Sequence, residues 1–103
     1  MPKSANKVIL VGRVGQDPVV KDLPDGAIAS LSLATYSGQG SYERTSWHHL
    51  RLYDFLASRA RDDVQAGDQL YIEGELDYGS YERDGVEIPF VEILVKEMVI
   101  LGE

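Results

Sequence analysis

An all-β domain carrying a single helix is the fold class this 103-residue sequence predicts, on three observations. Apolar and polar residues alternate at period two over most of the chain, the signature of half-buried strands. One segment alone, after Asp54, spaces its apolar residues by four. Turn chemistry separates the extended runs, as Leu23-Pro24-Asp25-Gly26 and as Asp84-Gly85.

The first run, Lys7 to Val14, is β-branched and aliphatic and reads as a strand buried on both sides over part of its length. Gly12 and Gly15 interrupt it, as at a bulge or bend where a strand passes from one sheet to another. Beyond the Pro24-Asp25-Gly26 turn, Ala29, Leu31 and Leu33 alternate with Ser30, Ser32 and Ala34, so the first two strands form a hairpin. Ser37 to Ser41 is Ser/Gly/Gln-rich and reads as a loop. The third strand contains Trp47 to Tyr53. Leu56, Ala60 and Val64 then make one apolar helical stripe of about three turns, with Asp54 as N-cap and Gly67 as C-terminal stop. From Gln69 to Ile100 period two returns around Asp84-Gly85 and predicts one long hairpin. Pro89 places the returning strand at an edge or a bulge. The aliphatic run Ile93 to Leu101 closes the core.

Strand, strand, strand, helix, strand, strand is the order of a five-stranded OB-fold, a Greek-key barrel with one helix between strands 3 and 4 and here a long strand 4–5 hairpin. On pattern alone a β-grasp or another α+β domain competes with it. The length suits one domain, residues 1–103.

Composition narrows the chemistry. No apolar run approaches the roughly 20 residues of a membrane helix, and no membrane partner is expected. With no cysteine and only two histidines, adjacent in sequence, no metal site, cofactor or thiol chemistry is expected. The short polar start carries neither a signal peptide's apolar region nor an Arg-rich presequence, as in a chain made without a targeting segment or in a mature form. The net charge of -7 argues against a nucleic-acid partner. Its distribution softens that argument. Residues 1–61 hold eight Lys/Arg against five Asp/Glu, and residues 62–103 hold two against twelve.

The stretch most suggestive of function is Trp47 to Tyr53. On a strand, Trp47, His49, Arg51 and Tyr53 share one face, and His48, Leu50 and Leu52 the other. Two flat rings with a guanidinium and an imidazole between them can stack bases and meet phosphates. Strand aromatics also serve simply as packing residues.

Asn6 to Pro18, Leu31 to Thr35, Thr45 to Tyr53 with its Trp-His pair, Tyr71 to Gly74 and Leu101-Gly102 together resemble the bacterial and mitochondrial single-stranded DNA-binding proteins. Asp77, Tyr78 and Gly79 before Tyr81 look closer to the mitochondrial branch. The resemblance implies an OB-fold homotetramer that wraps single-stranded DNA, with RNA as a further possibility, in replication, repair or recombination. It implies stacking at Trp47, Tyr53 and Tyr81, with Tyr36 or Tyr42 supplying a further aromatic. It also implies a subunit contact at His48, replication or repair proteins as partners, and a mitochondrial or nucleoid location. Cations near those rings, Lys7, Arg13, Arg44, Arg51 and Arg83, would meet phosphates, with His49 adding a weaker contact beside them.

Where relatives carry Lys and Arg on the hairpin, this chain has Asp77, Gly79 and Ser80, with Glu73, Glu75, Glu82 and Glu87 nearby. Each phosphate left without a cation flattens the salt dependence of single-strand binding by about 0.7 in slope. Binding weaker and less salt-sensitive than a typical member's is therefore expected. An OB-fold interaction subunit in a protein or RNA-processing complex is the competing reading. No catalytic residues are expected, because no nucleophile stands beside a base at motif spacing. Gly12 to Gly15 lies within a strand and is no phosphate loop.

Overall fold

The computed structural model describes residues 3–102. Its strands are β1 (Val8–Val14), β2 (Val19–Leu23), β3 (Gly26–Ser37), β4 (Arg44–Tyr53), β5 (Gln69–Arg83) and β6 (Val86–Gly102), with the helix α1 (Phe55–Asp63) between β4 and β5. They form one sheet in the order β1-β5-β6-β4-β3-β2, closed into a barrel where Arg13 and Val14 of β1 pair with Ala34 and Leu33 of β3. This is the OB-fold, with six ladder segments where five strands are expected. The residues from Gly15 to Pro18 break the first strand in two.

Glycine allows the closure. A side chain on Gly12 would collide with the Ala34 carbonyl on the facing strand, so only a residue without Cβ lets β1 cross β3 there. The inner faces of all layers meet in one core. Leu33, Leu50, Leu52, Leu70 and Ile72 are fully buried, each contributing about 1.5–3 kcal/mol of apolar burial. Ala57 and Ala60 seat α1 against this core.

The two predicted hairpins form. β2 pairs antiparallel with β3 around the Pro24-Asp25 turn, and β5 with β6 around Asp84 and Gly85. Asp84 and Gly85 both take positive φ, 51° and 80°, as the tight turn matched to twisted strands requires. Pro89 pairs across from Ser80 in the outer part of β6, which meets β4 only at Ile93 and Leu94, so it does sit where one edge is open.

Four local expectations need correction. Asp54 holds the N-cap position but caps nothing. Its backbone is turned to φ 53°, ψ -114°, its amide N–H donates to the Ala27 carbonyl at 2.8 Å, and its Oδ1 accepts from the Ala27 amide at 3.4 Å. The helix is nine residues, nearer two and a half turns, and ends at Val64 before Gly67. β1 is buried on one face only, because its outward residues Ile9 and Val11 are 54% and 48% exposed. The Ser/Gly loop contains a 3-10 turn, Gly40–Tyr42.

Candidate nucleic-acid interface

β3 and β4 pair so that Ile28 faces Tyr53, Ser30 faces Arg51, Ser32 faces His49 and Ala34 faces Trp47. These residues share the outward side, because Leu31, Leu33, Leu50 and Leu52 fill the core. The small side chains of Ser30 and Ser32 leave room above β3, whereas Ala34 is buried. Large side chains of β4 therefore stand over a floor of small ones.

The long hairpin forms the opposite wall. Gly79 lies across from Phe90 and Tyr81 across from Ile88, so Phe90 and Tyr81 are diagonal neighbours on one face. Their ring centroids are 6.3 Å apart at an interplanar angle of 33°, within the range of favourable aromatic pairs. A Cβ on Gly79 would fall 2.5 Å from Cζ of Phe90. The glycine thus provides the flat seat on which that ring lies.

Between the walls runs a groove of about 480 Å³, lined among others by Gln16, Ser30, Ser32, His49, Tyr81 and Phe90, with Asp17 and Glu92 at its sides. A second hollow of about 380 Å³, lined by Gly15, Gln16, Ser32 and Trp47, shares Gln16 and Ser32 with the first. The two make one continuous track from Trp47 to Phe90. Trp47 is 55% exposed, with its six-membered ring lying across Gly15. Tyr36 and Arg44 line a separate hollow beyond the end of β4, and Tyr42 projects from the 3-10 turn.

The structure thus brings Trp47, His49 and Tyr81 to one track, with Tyr53 at the far end of the same β4 face. Of the predicted cations it brings Arg51 and Arg83 next to residues of the track, Glu92 and Tyr81, and leaves the others away from it. Lys7 pairs with Glu73 at 3.3 Å, and Arg13 donates through Nη1 to the Gly67 carbonyl at 2.7 Å. Arg13 lies on the outward side of β1 and Lys7 immediately precedes that strand. Arg51 pairs through Nη2 with Glu92 Oε2 at 2.8 Å. Burial, the largest influence, works against its charge, but hydrogen bonding to Glu92 and Tyr53 outweighs it and holds Arg51 above the usual guanidinium value. Arg83 places its guanidinium carbon 5.9 Å from the Tyr81 ring centroid. Among the described residues, Arg44 and Arg83 alone of the five Lys/Arg candidates have neither an acidic partner nor a hydrogen-bonded carbonyl.

His48 points inward as its parity requires and is half-buried, with its Nε2 hydrogen-bonded to Thr35 Oγ1 at 2.8 Å. No group of three or more His, Cys, Asp or Glu among the described residues is arranged to hold a metal ion. Phe90 is the wall residue that sequence reading missed. The signal was present as Gly79, since a glycine in mid-strand marks a close approach by something large on the facing strand.

Comparison with known proteins adds three findings. The sequence model of the Single-strand binding protein family matches residues 5–101. Single-stranded DNA-binding proteins of Xanthomonas campestris and Neisseria meningitidis are 41% and 39% identical over 99% and 96% of this chain. The chain spans 63% and 61% of their lengths. Among solved structures, the Plasmodium falciparum SSB complex with ssDNA superposes with a TM-score of 0.91 at 26% identity, covering 98% of each chain.

Proposed function

Because the chain belongs to the single-strand binding protein family, we propose that it binds single-stranded DNA without reading its sequence, by stacking bases along the Trp47–Phe90 track. The observation that carries this reading is the track itself. Trp47, Tyr81 and Phe90 present exposed faces over a floor of serines, and base–aromatic stacking tolerates any sequence because every base has a π-face. Tyr53 extends the β4 row, and Tyr36 and Tyr42 stand where a longer strand would leave it. Arg44 and Arg83 supply the free positive charge for phosphates, with His49 stacking more than it attracts. The protein binds and protects; it catalyses nothing.

A second surface supports self-association. Ile9 and Val11 of β1 and Val99 and Leu101 of β6 are exposed on the outward side of the β1–β5–β6 sheet. Residues Val8 to Gly12 pair with β5 only, which leaves the other edge of β1 open. Exposed apolar patches of this kind mark protein interfaces. A homotetramer built through this sheet covers them, with His48 near a contact. Replication and repair proteins would then meet the DNA-bound assembly. Its place of work would be a nucleoid or the mitochondrial interior.

Anisotropy of labelled oligonucleotides tests the proposal, with oligo(dT), a mixed single strand, an RNA strand and a duplex compared at low salt. Binding of both DNA single strands with little affinity for duplex is expected. Equal affinity for duplex, or none for single strands, overturns it. Light scattering reads the assembly, and a monomer at tens of micromolar overturns the tetramer.

A further inference from the structure

Arg51 is the only permanent cation in the outward row of β4, and its partner stands in the strand track. Glu92 lines the same groove as His49, Tyr81 and Phe90, and its carboxylate meets Arg51 at 2.8 Å with side chains 34% and 18% exposed. The pair is therefore shielded more than an ordinary surface ion pair. Directly across the hairpin from Glu92 is Asp77, a second acid that faces the same side. Arg51 has one further unspent group, because its Nε is buried with no hydrogen-bond partner.

Carboxylate and phosphate present the same pair of acceptor oxygens to a guanidinium. From this geometry we propose that Glu92 acts as an internal phosphate mimic, occupying Arg51 so that a bound strand gains its stacking but not this phosphate contact. The inference rests on the proposed binding of single strands in the track and assigns Glu92 a role in setting affinity. It gives the weak electrostatics of this surface a local cause. Arg51 is not missing from the interface; it is already engaged there. An Arg51 held this way binds no backbone phosphate until Glu92 lets go, and at ordinary salt the intramolecular carboxylate wins because it is always present at contact distance.

Substituting Glu92→Gln keeps the shape and removes the charge. A single strand then gains one phosphate contact, so the slope of log affinity against log salt becomes more negative by about 0.7. That change makes the affinity loss across a tenfold salt increase about fivefold larger than in the parent. The double variant Asp77→Asn, Glu92→Gln shows the same change if Asp77 would otherwise capture the guanidinium. Adding Arg51→Gln to either returns the parental slope. Circular dichroism melts confirm that each variant is folded. Two failures are distinguishable. A parent that binds no single strand sinks the function proposed above, whereas a parent that binds, with the Glu92→Gln and double variants both keeping its slope, sinks the role of Glu92 alone.

Discussion

Gly15→Ala reaches the stacking surface through a single ring. Gly15 needs no positive φ, so its backbone accepts alanine. The new Cβ would lie 2.5 Å from Cζ3 and 2.9 Å from Cη2 of Trp47, whereas ordinary contact begins at 3.4 Å. The indole must therefore withdraw by about 0.9 Å, the difference between 3.4 and 2.5 Å. Forcing a side chain that far off its seat costs about 0.5–1.5 kcal/mol, which is roughly a 2- to 12-fold loss of affinity if the ring must return to stack a base. Trp47→Ala sets the ceiling, since losing one stacked base costs about 1–3 kcal/mol. Trp47 is the sole tryptophan, so its emission reports the displacement directly. Anisotropy titration with oligo(dT), beside the emission spectrum of the free protein, is the assay. A shifted emission with unchanged affinity refutes the role of Trp47 in stacking. An unchanged emission refutes the seating of its ring on Gly15.

Three further outcomes are expected. Tyr81→Ala and Phe90→Ala each weaken single-strand binding, and a double-mutant cycle gives a coupling of about 0.5–1.5 kcal/mol because the rings pair; strict additivity would show that they act apart. Asp54→Gly stabilises the fold by about 1 kcal/mol in urea titrations, because an L-residue is strained at φ 53°, ψ -114° and glycine is not; a loss of stability would mean that the Asp54 carboxylate matters more than its backbone. Glu97 lies directly across from Glu73, and hydrogen bonding and charge from Glu73 raise Glu97 above the usual carboxylate range. Glu97, Lys7 and Tyr71 together lower Glu73. A raised carboxyl contributes stability below the usual range that is lost as pH rises through the raised value, and a lowered one contributes stability above the range that is lost as pH falls through the lowered value. Glu97→Gln removes the like-charge pair, so its Tm exceeds the parent's at pH 7 and the gap narrows toward pH 4; a gap that widens on acidification contradicts this.

The barrel was legible because its strands alternate and its turns carry Pro-Asp-Gly and Asp-Gly, all local signals. Parity also placed Trp47, His49, Arg51 and Tyr53 on one side of β4 with Leu50 and Leu52 on the other. What escaped were features set by facing strands. β5 keeps its alternation throughout, whereas β6 takes up an extra residue at Lys96 and another at Leu101 where the register shifts. Met98 therefore reaches the core although Ile93 and Val95 precede it by odd steps. The exposure of Ile9 and Val11 was hidden for a similar reason, since an aliphatic run reads the same whether its outer face meets its own core or another surface. Phe90 belongs to the track only because Gly79 stands opposite. The pairing of Arg51 with Glu92, 41 residues away, is a contact between β4 and β6 that no local spacing encodes. Charge counting anticipated a poor supply of cations; the fold explains it by the ion pairs and carbonyls that engage Lys7, Arg13 and Arg51.

Quenching of Trp47 fluorescence by a short oligo(dT) spanning one protomer, followed across salt concentrations, decides whether bases stack on this face and how few phosphates are neutralised. With Arg44 and Arg83 as the free cations among the five candidates, saturable quenching and a slope near -1.4 are expected, about two phosphates at 0.7 each. Absence of quenching at low salt contradicts stacking on this face. Quenching with a slope of about -3 or steeper contradicts the claim that stacking, and not phosphate neutralisation, holds the strand.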